Sequence, residues 1–199
     1  MGRRSDHSRA ELRELIIDKG HRQMALHGFS RFSARQVARA VGYSVGTIYN
    51  VFPSLDHFLL AINTRTFEQW TDHLRARLDA AGPDRIRALV EAYFSFAREN
   101  RNLWMAIYDH RLPPGMKMPD EDAQRRADLT GIVVREIAAV VDDRPHDRVQ
   151  HLARSLIATV HGHCTFDLNG TFALMNEPDP VGMALDRVRQ SLAESAPSP

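Results

Sequence analysis

The sequence predicts an all-α fold of about nine helices. Apolar residues recur every three or four positions in nearly every segment, the period of a helix face and not of a strand. Clusters of glycine, proline and asparagine interrupt that pattern, and each reads as a helix stop or start. The 199 residues hold no tandem repeat, and the only low-complexity tract is the tail SAPSP.

The totals narrow the class. A chain of this length can bury a real core. Its longest apolar runs are far too short to cross a bilayer, so no membrane partner is expected. Arg3 and Arg4 are followed by no apolar stretch, which argues against a signal peptide. One cysteine, Cys164, excludes an internal disulfide and fits a reducing cytoplasm, the expected location. The formal net charge of +1 hides an asymmetry. Residues 1–53 carry nine Lys/Arg and four Asp/Glu, net basic by five; residues 54–199 carry seventeen and twenty-one, net acidic by four. A basic front on an acidic body points to a polyanionic partner.

The first helix is expected over roughly Ser8 to Leu26. Leu12, Ile16, Gly20 and Met24 fall four apart on one face. A glycine there costs helix propensity, so a close-packed neighbour is expected at Gly20. His27-Gly28-Phe29 ends this helix. Ser33-Ala34-Arg35-Gln36 then reads as a capping box, the serine capping Gln36 N–H and the glutamine reaching back. The second helix runs to about Val41. Gly42 supplies a left-handed exit, and Ser44 caps a third helix that runs to about Phe52. On that helix Val45, Ile48 and Phe52 point inward, while Gly46, Thr47 and Asn50 point outward. The outer face is short, polar and uncharged. It offers no titratable group for catalysis but fits a DNA groove, with Tyr49 on its border placed to reach a phosphate.

The stretch HGFSRFSARQVARAVGYSVGTIYNVFPSLDHFL resembles the DNA-binding domain of the TetR (tetracycline-repressor) family. That family's run is x-G-F, then T/S-x-x-x-I-A-x-x-x-G-V-S-x-G-x-x-Y-x-x-F-x-S-K-x-x-L. Gly28, Phe29, Ser33, Val37, Ala38, Gly42, Ser44, Gly46, Tyr49, Phe52, Ser54 and Phe58 or Leu59 stand in matching places. Tyr43 departs from the usual small turn residue, and Leu55 stands where a lysine usually opens the fourth helix. The resemblance implies a DNA contact set of Ser33, Arg35, Gln36, Ser44, Val45, Gly46, Thr47, Tyr49 and Asn50. It also implies arm contacts from Arg3, Arg4 and Arg9, as in some family members. No Lys or Arg lies on the third helix, so guanine readout by a bidentate cation falls to Arg35.

Pro53-Ser54 opens a fourth helix from about Leu55 to Ala80, roughly 39 Å long. Gly82-Pro83 is expected to open the fifth, Asn100 to Asn102 to interrupt it, and Pro113-Pro114-Gly115 to close the sixth. Asp142 to Pro145 separates the seventh from the eighth, and Asn176 to Pro180 precedes the last. Aromatic and polar residues gather on the fifth, sixth and eighth helices. An apolar pocket with a few polar groups is the usual small-molecule site, and the family places an inducer here. The expected pocket residues are Tyr93, Phe94, Trp104, Met105, Tyr108, His161, Cys164 and Phe166. His161 and His163 sit two apart, on different helix faces, so neither a metal nor another cofactor is expected. Leu152, Leu156 and Thr159 step along the eighth helix and Val181, Leu185, Val188 and Leu192 along the last. The last stripe is expected to be exposed in a monomer, and the family pairs these two helices in a dimer interface.

The expected organisation is therefore a helix-turn-helix domain with a basic arm over residues 1–53 and a helical ligand-binding and dimerisation domain over 54–199. The expected function is a homodimeric DNA-binding regulator, a repressor released from a pseudo-palindromic double-stranded operator by a small-molecule inducer. An activator or a ligand-independent regulator is the alternative. An enzyme using His110, His161 and Asp167 would leave the polar face of the third helix unexplained, so no enzymatic activity is expected. An interaction module with a decayed DNA-binding head is suggested only by Leu55.

Overall fold

The computed structural model describes residues 7–141 and 145–195. These hold ten α-helices, one 3-10 turn and no strand. The helices are α1 (Arg9–His27), α2 (Ala34–Val41), α3 (Val45–Val51), α4 (Leu55–Asp79), α5 (Arg85–Glu99), α6 (Arg101–Asp109), α7 (Asp120–Ala138), α8 (His146–Leu168), α9 (Thr171–Leu174) and α10 (Pro180–Ser195), with the 3-10 turn at Phe29–Arg31. The tenth, unexpected helix is the single turn α9. Gly170 takes a left-handed conformation, φ 74°, and stops α8 just before it. Arg3, Arg4 and the predicted break at Asp142 to Arg144 lie outside the described residues.

The helix ends show how local chemistry sets the elements, with two corrections. A complete capping box forms at α1: Glu11 N–H donates to Ser8 Oγ at 3.2 Å and Ser8 N–H to Glu11 Oε2 at 2.7 Å. At α2 only half of the expected box forms. Gln36 N–H donates to Ser33 Oγ at 3.4 Å, but Ser33 N–H donates to Gln23 of α1 instead of Gln36. A tertiary neighbour has outcompeted the local side chain for that orphan donor. The second correction is at α5, where Gly82-Pro83 stays outside the helix. Asp84 caps it, accepting Arg87 N–H at 3.1 Å.

Backbone packing divides the chain into two units. One contains α1 to α3, α4 through Phe67, α6, and the start of α7 through Ala123. The other holds α4 from Glu68, α5, the rest of α7, and α8 to α10. The sequence divided the chain at 53/54; packing places α6 with the helix-turn-helix, a fold-back that local pattern does not reveal.

In the first unit Ile16, Met24, Val37, Ile48, Phe58 and Ile62 form a closed core with Leu103 and Ala106 of α6. Gly20 lets α1 approach α4 closely: a Cβ there would lie 2.7 Å from both Ile62 Cδ1 and Phe58 Cζ. Arg65 of α4 binds Asp18 at 2.6 Å and Glu14 at 2.5 Å. Asn102 of α6 donates to Ala25 O at 2.7 Å, and His110 at its end meets Asp56 at 3.2 Å.

In the second unit Trp70 stacks on Phe96 with centroids 5.1 Å apart and meets Tyr93 edge-on at 4.9 Å. Arg85 makes two bonds to Glu136, at 2.6 and 2.7 Å, joining α5 to α7. The apolar stripe of α10 is not exposed in the isolated chain. Leu185, Val188 and Leu192 are buried, because α10 packs this stripe on α8 and α5 of its own chain.

Candidate nucleic-acid interface and interior cavity

The break between α2 and α3 is built by three backbone features. Gly42 is left-handed, φ 81° and ψ 23°. Its N–H donates to Arg39 O at 3.1 Å, and Tyr43 N–H donates to Ala38 O at 2.9 Å. This pair is the Schellman arrangement, which satisfies the last carbonyls of α2 while the chain turns. Ser44 then caps α3, accepting Thr47 N–H at 3.3 Å, and its hydroxyl also meets the Thr47 hydroxyl at 3.2 Å.

The side chains of α3 divide as its period demands. Ile48 is fully buried, and Val45 packs partly buried against the same core. Ser44, Gly46 and Asn50 are exposed, Thr47 is half-buried, and Tyr49 is 47 % exposed. Val45 therefore belongs chiefly to the inward face, unlike the other α3 residues the resemblance assigns to DNA. Arg35 and Gln36 are exposed at the start of α2, beside half-buried Ser33. Arg9 donates to Asn50 O at 3.4 Å, and the Arg13 guanidinium lies 5.6 Å over the Phe52 ring.

The charge asymmetry of the sequence becomes spatial here. The acids of α1 are engaged: Glu14 and Asp18 by Arg65, Glu11 in its cap. The bonds to Ser8, its backbone N–H first, hold the Glu11 carboxyl below its usual range. Arg22, Arg31, Arg35 and Arg39 are exposed. Sequence reasoning named Arg35 but not Arg22, Arg31 or Arg39. Their exposure was not legible locally, although the net charge announced them. Leu55, in the place of the family's lysine, is exposed at the start of α4.

The second unit contains a cavity of about 50 Å³. Its walls are Leu74 of α4, Ile86, Leu89, Val90 and Tyr93 of α5, Val133 and Ile137 of α7, Leu156, Ile157 and Val160 of α8, and Val188 of α10. Of the eight expected pocket residues, Tyr93 lines it. His161 bonds the Tyr93 hydroxyl at 3.1 Å, and burial lowers its pKa. Phe94 is buried under the Arg98 guanidinium, and Cys164 is fully buried. Phe166 is exposed and packs edge-on against Phe172. Trp104, Met105 and Tyr108 lie on α6, in the first unit. Sequence reasoning followed the rings and missed the aliphatic wall, although Ile86, Leu89, Val90 and Tyr93 have the three- and four-residue spacing of one helix face.

The expected dimer residues also have definite places. Leu156 and Val188 line the cavity, and Leu185 and Leu192 are in the core. Leu152, Thr159 and Val181 are half-buried. The exposed apolar side chains of this region are Phe166 of α8, Leu174 and Met175 at α9, and Met183 of α10. Among the described residues no His, Cys, Asp or Glu cluster is arranged for a metal, and no helix is long and apolar enough to cross a membrane.

Two family descriptions match. "Bacterial regulatory proteins, tetR family" covers residues 16–62, and "Tetracyclin repressor-like, C-terminal domain" covers residues 86–188. The chain is 27% identical over 194 residues to the HTH-type transcriptional regulator Mb1846 of Mycobacterium bovis, covering 96% of this chain and 72% of that one. It is 31% identical over 93 residues to the HTH-type transcriptional regulator AlkX of Mycobacterium tuberculosis, covering 47% and 44% of the two chains. In fold it is similar to a Rhodococcus sp. RHA1 protein of unknown function, with a TM-score of 0.71 at 22% identity over the full length of both chains. It is also similar in fold to the multidrug binding protein EbrR, solved with imidazole, with a TM-score of 0.62 at 21% identity over 98% of each chain. One description spans the helix-turn-helix and the other just over half of the chain, so the chain belongs to the TetR family of transcriptional regulators.

Proposed function

We propose that this regulator is a homodimeric repressor that reads a pseudo-palindromic operator with α2 and α3 and leaves it when a small uncharged apolar molecule enters the second unit. The observation that carries the DNA reading is the outer face of α3. Ser44, Gly46, Thr47 and Asn50 form a small polar surface straight after a sharp turn, with Arg35 and Arg39 exposed on the preceding helix. Short side chains let a helix approach base edges, and the flanking cations meet phosphates. A two-fold dimer sets two such helices about one DNA turn apart, roughly 34 Å. Exposed Phe166, Leu174, Met175 and Met183 support self-association of the second unit, since exposed apolar residues of this size are characteristic of contact surfaces.

The ligand class follows from the cavity walls. Ten of the eleven lining side chains are aliphatic, and the single polar one, Tyr93, already shares its hydroxyl with His161. A charged ligand would lose its hydration without compensation. The cavity, at about 50 Å³, is well below the roughly 300–1,000 Å³ of ordinary ligand sites. A ligand larger than a few atoms must part the walls, so it binds an expanded state better than this one. That difference in affinity is what any release mechanism requires.

The test is a selection of bound sequences from a random duplex pool, followed by affinity against salt. The expected result is an enriched inverted repeat, one dimer per repeat and a steep salt slope. No enrichment by ligand-free protein overturns the DNA reading. A reporter beside the enriched site separates the regulatory signs: loss of the protein raises expression for a repressor and lowers it for an activator.

A further inference from the structure

Helix α1 carries a side chain that fixes the polarity of a predicted DNA contact. Gln23 Oε1 accepts the backbone N–H of Ser33 at 3.3 Å, and Gln23 Nε2 donates to Gln36 Oε1 at 2.5 Å. Oxygen and nitrogen of a carboxamide are nearly isosteric, so their assignment must come from the hydrogen-bond network. Here the network has an unambiguous anchor. A backbone N–H can only donate, so the Gln23 atom facing Ser33 must be its oxygen. Its –NH2 then faces Gln36, and the Gln36 atom facing Gln23 must be an acceptor. The exposed Gln36 side chain is thereby left with its –NH2 as the end that is free to bond.

We propose that Gln23 is a positioning residue for operator recognition, and that it makes Gln36 a donor-only contact to an acceptor atom on the DNA. The assignment rests on α2 lying against DNA, as proposed above. A free glutamine recognises adenine by donating to N7 while accepting from N6. With its oxygen held by Gln23, Gln36 cannot complete that pair. It donates instead to guanine N7 or O6, to thymine O4, or to a phosphate oxygen, all of which are acceptors. Gln23 itself touches no DNA in this scheme. It acts through the orientation of its neighbour, and at the same time occupies the Ser33 N–H that a local capping box would have used.

The decisive variant is Gln23→Glu. The new carboxylate still accepts the Ser33 N–H but has no donor for Gln36. Gln36 must then turn, give an N–H to the carboxylate and present its oxygen outward. Binding-site selection is run on the wild type, Gln36→Ala, Gln23→Glu and the double variant, with circular dichroism confirming that each folds. If Gln36 contacts a base, the wild type prefers guanine or thymine at one position of each half-site. Gln36→Ala loses that preference by about 5- to 100-fold. Gln23→Glu moves it to adenine or cytosine, whose exocyclic amines are donors. If Gln36 contacts a phosphate, Gln36→Ala weakens all sequences alike. Gln23→Glu then weakens binding more in the wild-type background than in the Gln36→Ala background, since only the former loses a donor as well as gaining a charge. Either pattern supports the assignment. It is overturned if the wild type selects adenine where Gln36→Ala loses preference. It is equally overturned if Gln36→Ala changes neither preference nor affinity, or if Gln23→Glu neither moves the preference nor shows that background dependence. A wild type that enriches no sequence overturns the DNA reading itself and this assignment with it, whereas enrichment with an indifferent Gln36→Ala overturns the assignment alone.

Discussion

His21 of α1 meets the hydroxyl of Thr66 on α4 at 3.2 Å, and both side chains are buried. The charged form of His21 is disfavoured first by burial and then by the Arg65 guanidinium, with Asp18 opposing weakly, so its pKa is lowered to about 4. The unfolded chain titrates near 6.5. A histidine with a depressed folded pKa gives stability that is present above the unfolded value and is lost as pH falls from about 6.5 toward about 4. The full span corresponds to about 3 kcal/mol as an upper bound. Urea midpoints between pH 7.5 and 4.5 should fall steeply for the wild type and less steeply for His21→Leu. Equal slopes would show that His21 titrates normally.

Gly20 is expected to resist enlargement. A valine there would drive its side chain into Phe58 and Ile62, both fully buried, at a cost of about 1–3 kcal/mol. Thermal unfolding of Gly20→Val measures it. An unchanged midpoint would mean that α1 can move away from α4 freely.

Gly42 should resist substitution for a different reason. No atom lies within 4 Å of a Cβ built there, so only the left-handed backbone opposes a side chain. Gly42→Ala is expected to cost about 1–2 kcal/mol, and Gly42→Asn less. Equal loss in the two would point to a steric cause that the structure does not contain.

Cys164 is fully buried, and burial is the largest cause pushing its thiol up to about 12. Only about one molecule in ten thousand carries a thiolate at pH 8. An aromatic disulfide reagent should leave the native protein unmodified and titrate one thiol once urea unfolds it. Rapid native modification would place this cysteine in a reactive setting.

On α3 the exposed residues are expected to divide by role. Tyr49→Phe should weaken all DNA sequences similarly by removing a phosphate contact, and Thr47→Ala or Asn50→Ala should alter base preference. Competition between matched and scrambled duplexes distinguishes the two. A Tyr49→Phe protein with changed preference and unchanged overall affinity would reverse the assignment.

Much of this molecule was legible one residue at a time. Gly42 and Ser44 ended one helix and began the next because left-handed backbone and N-caps are local requirements, met by residue type alone. The inward and outward faces of α3 followed from helical period. Gly20 signalled close packing through the propensity it sacrifices. Local pattern misled wherever a distant segment competed for the same group. Gln23 took the Ser33 N–H from Gln36. Asp84 capped α5 in place of the expected start at Pro83. The stripe of α10 turned inward onto α8 and α5, so residues read as dimer surface became core and cavity wall.

The sequence by itself determined the helical class, the helix-turn-helix with its small polar face, and the basic character of the front. These depend on period, capping and charge, which are properties of neighbours along the chain. Only the tertiary structure decided that α6 joins the DNA-reading unit, that aliphatic residues enclose the cavity, and that α1 orients the amide at the head of α2. A stripe on a helix says that something must cover it, and a free amide says that something must bond it. Which partner does so is set by long-range competition for buried surface and hydrogen bonds, and no local pattern records the winner.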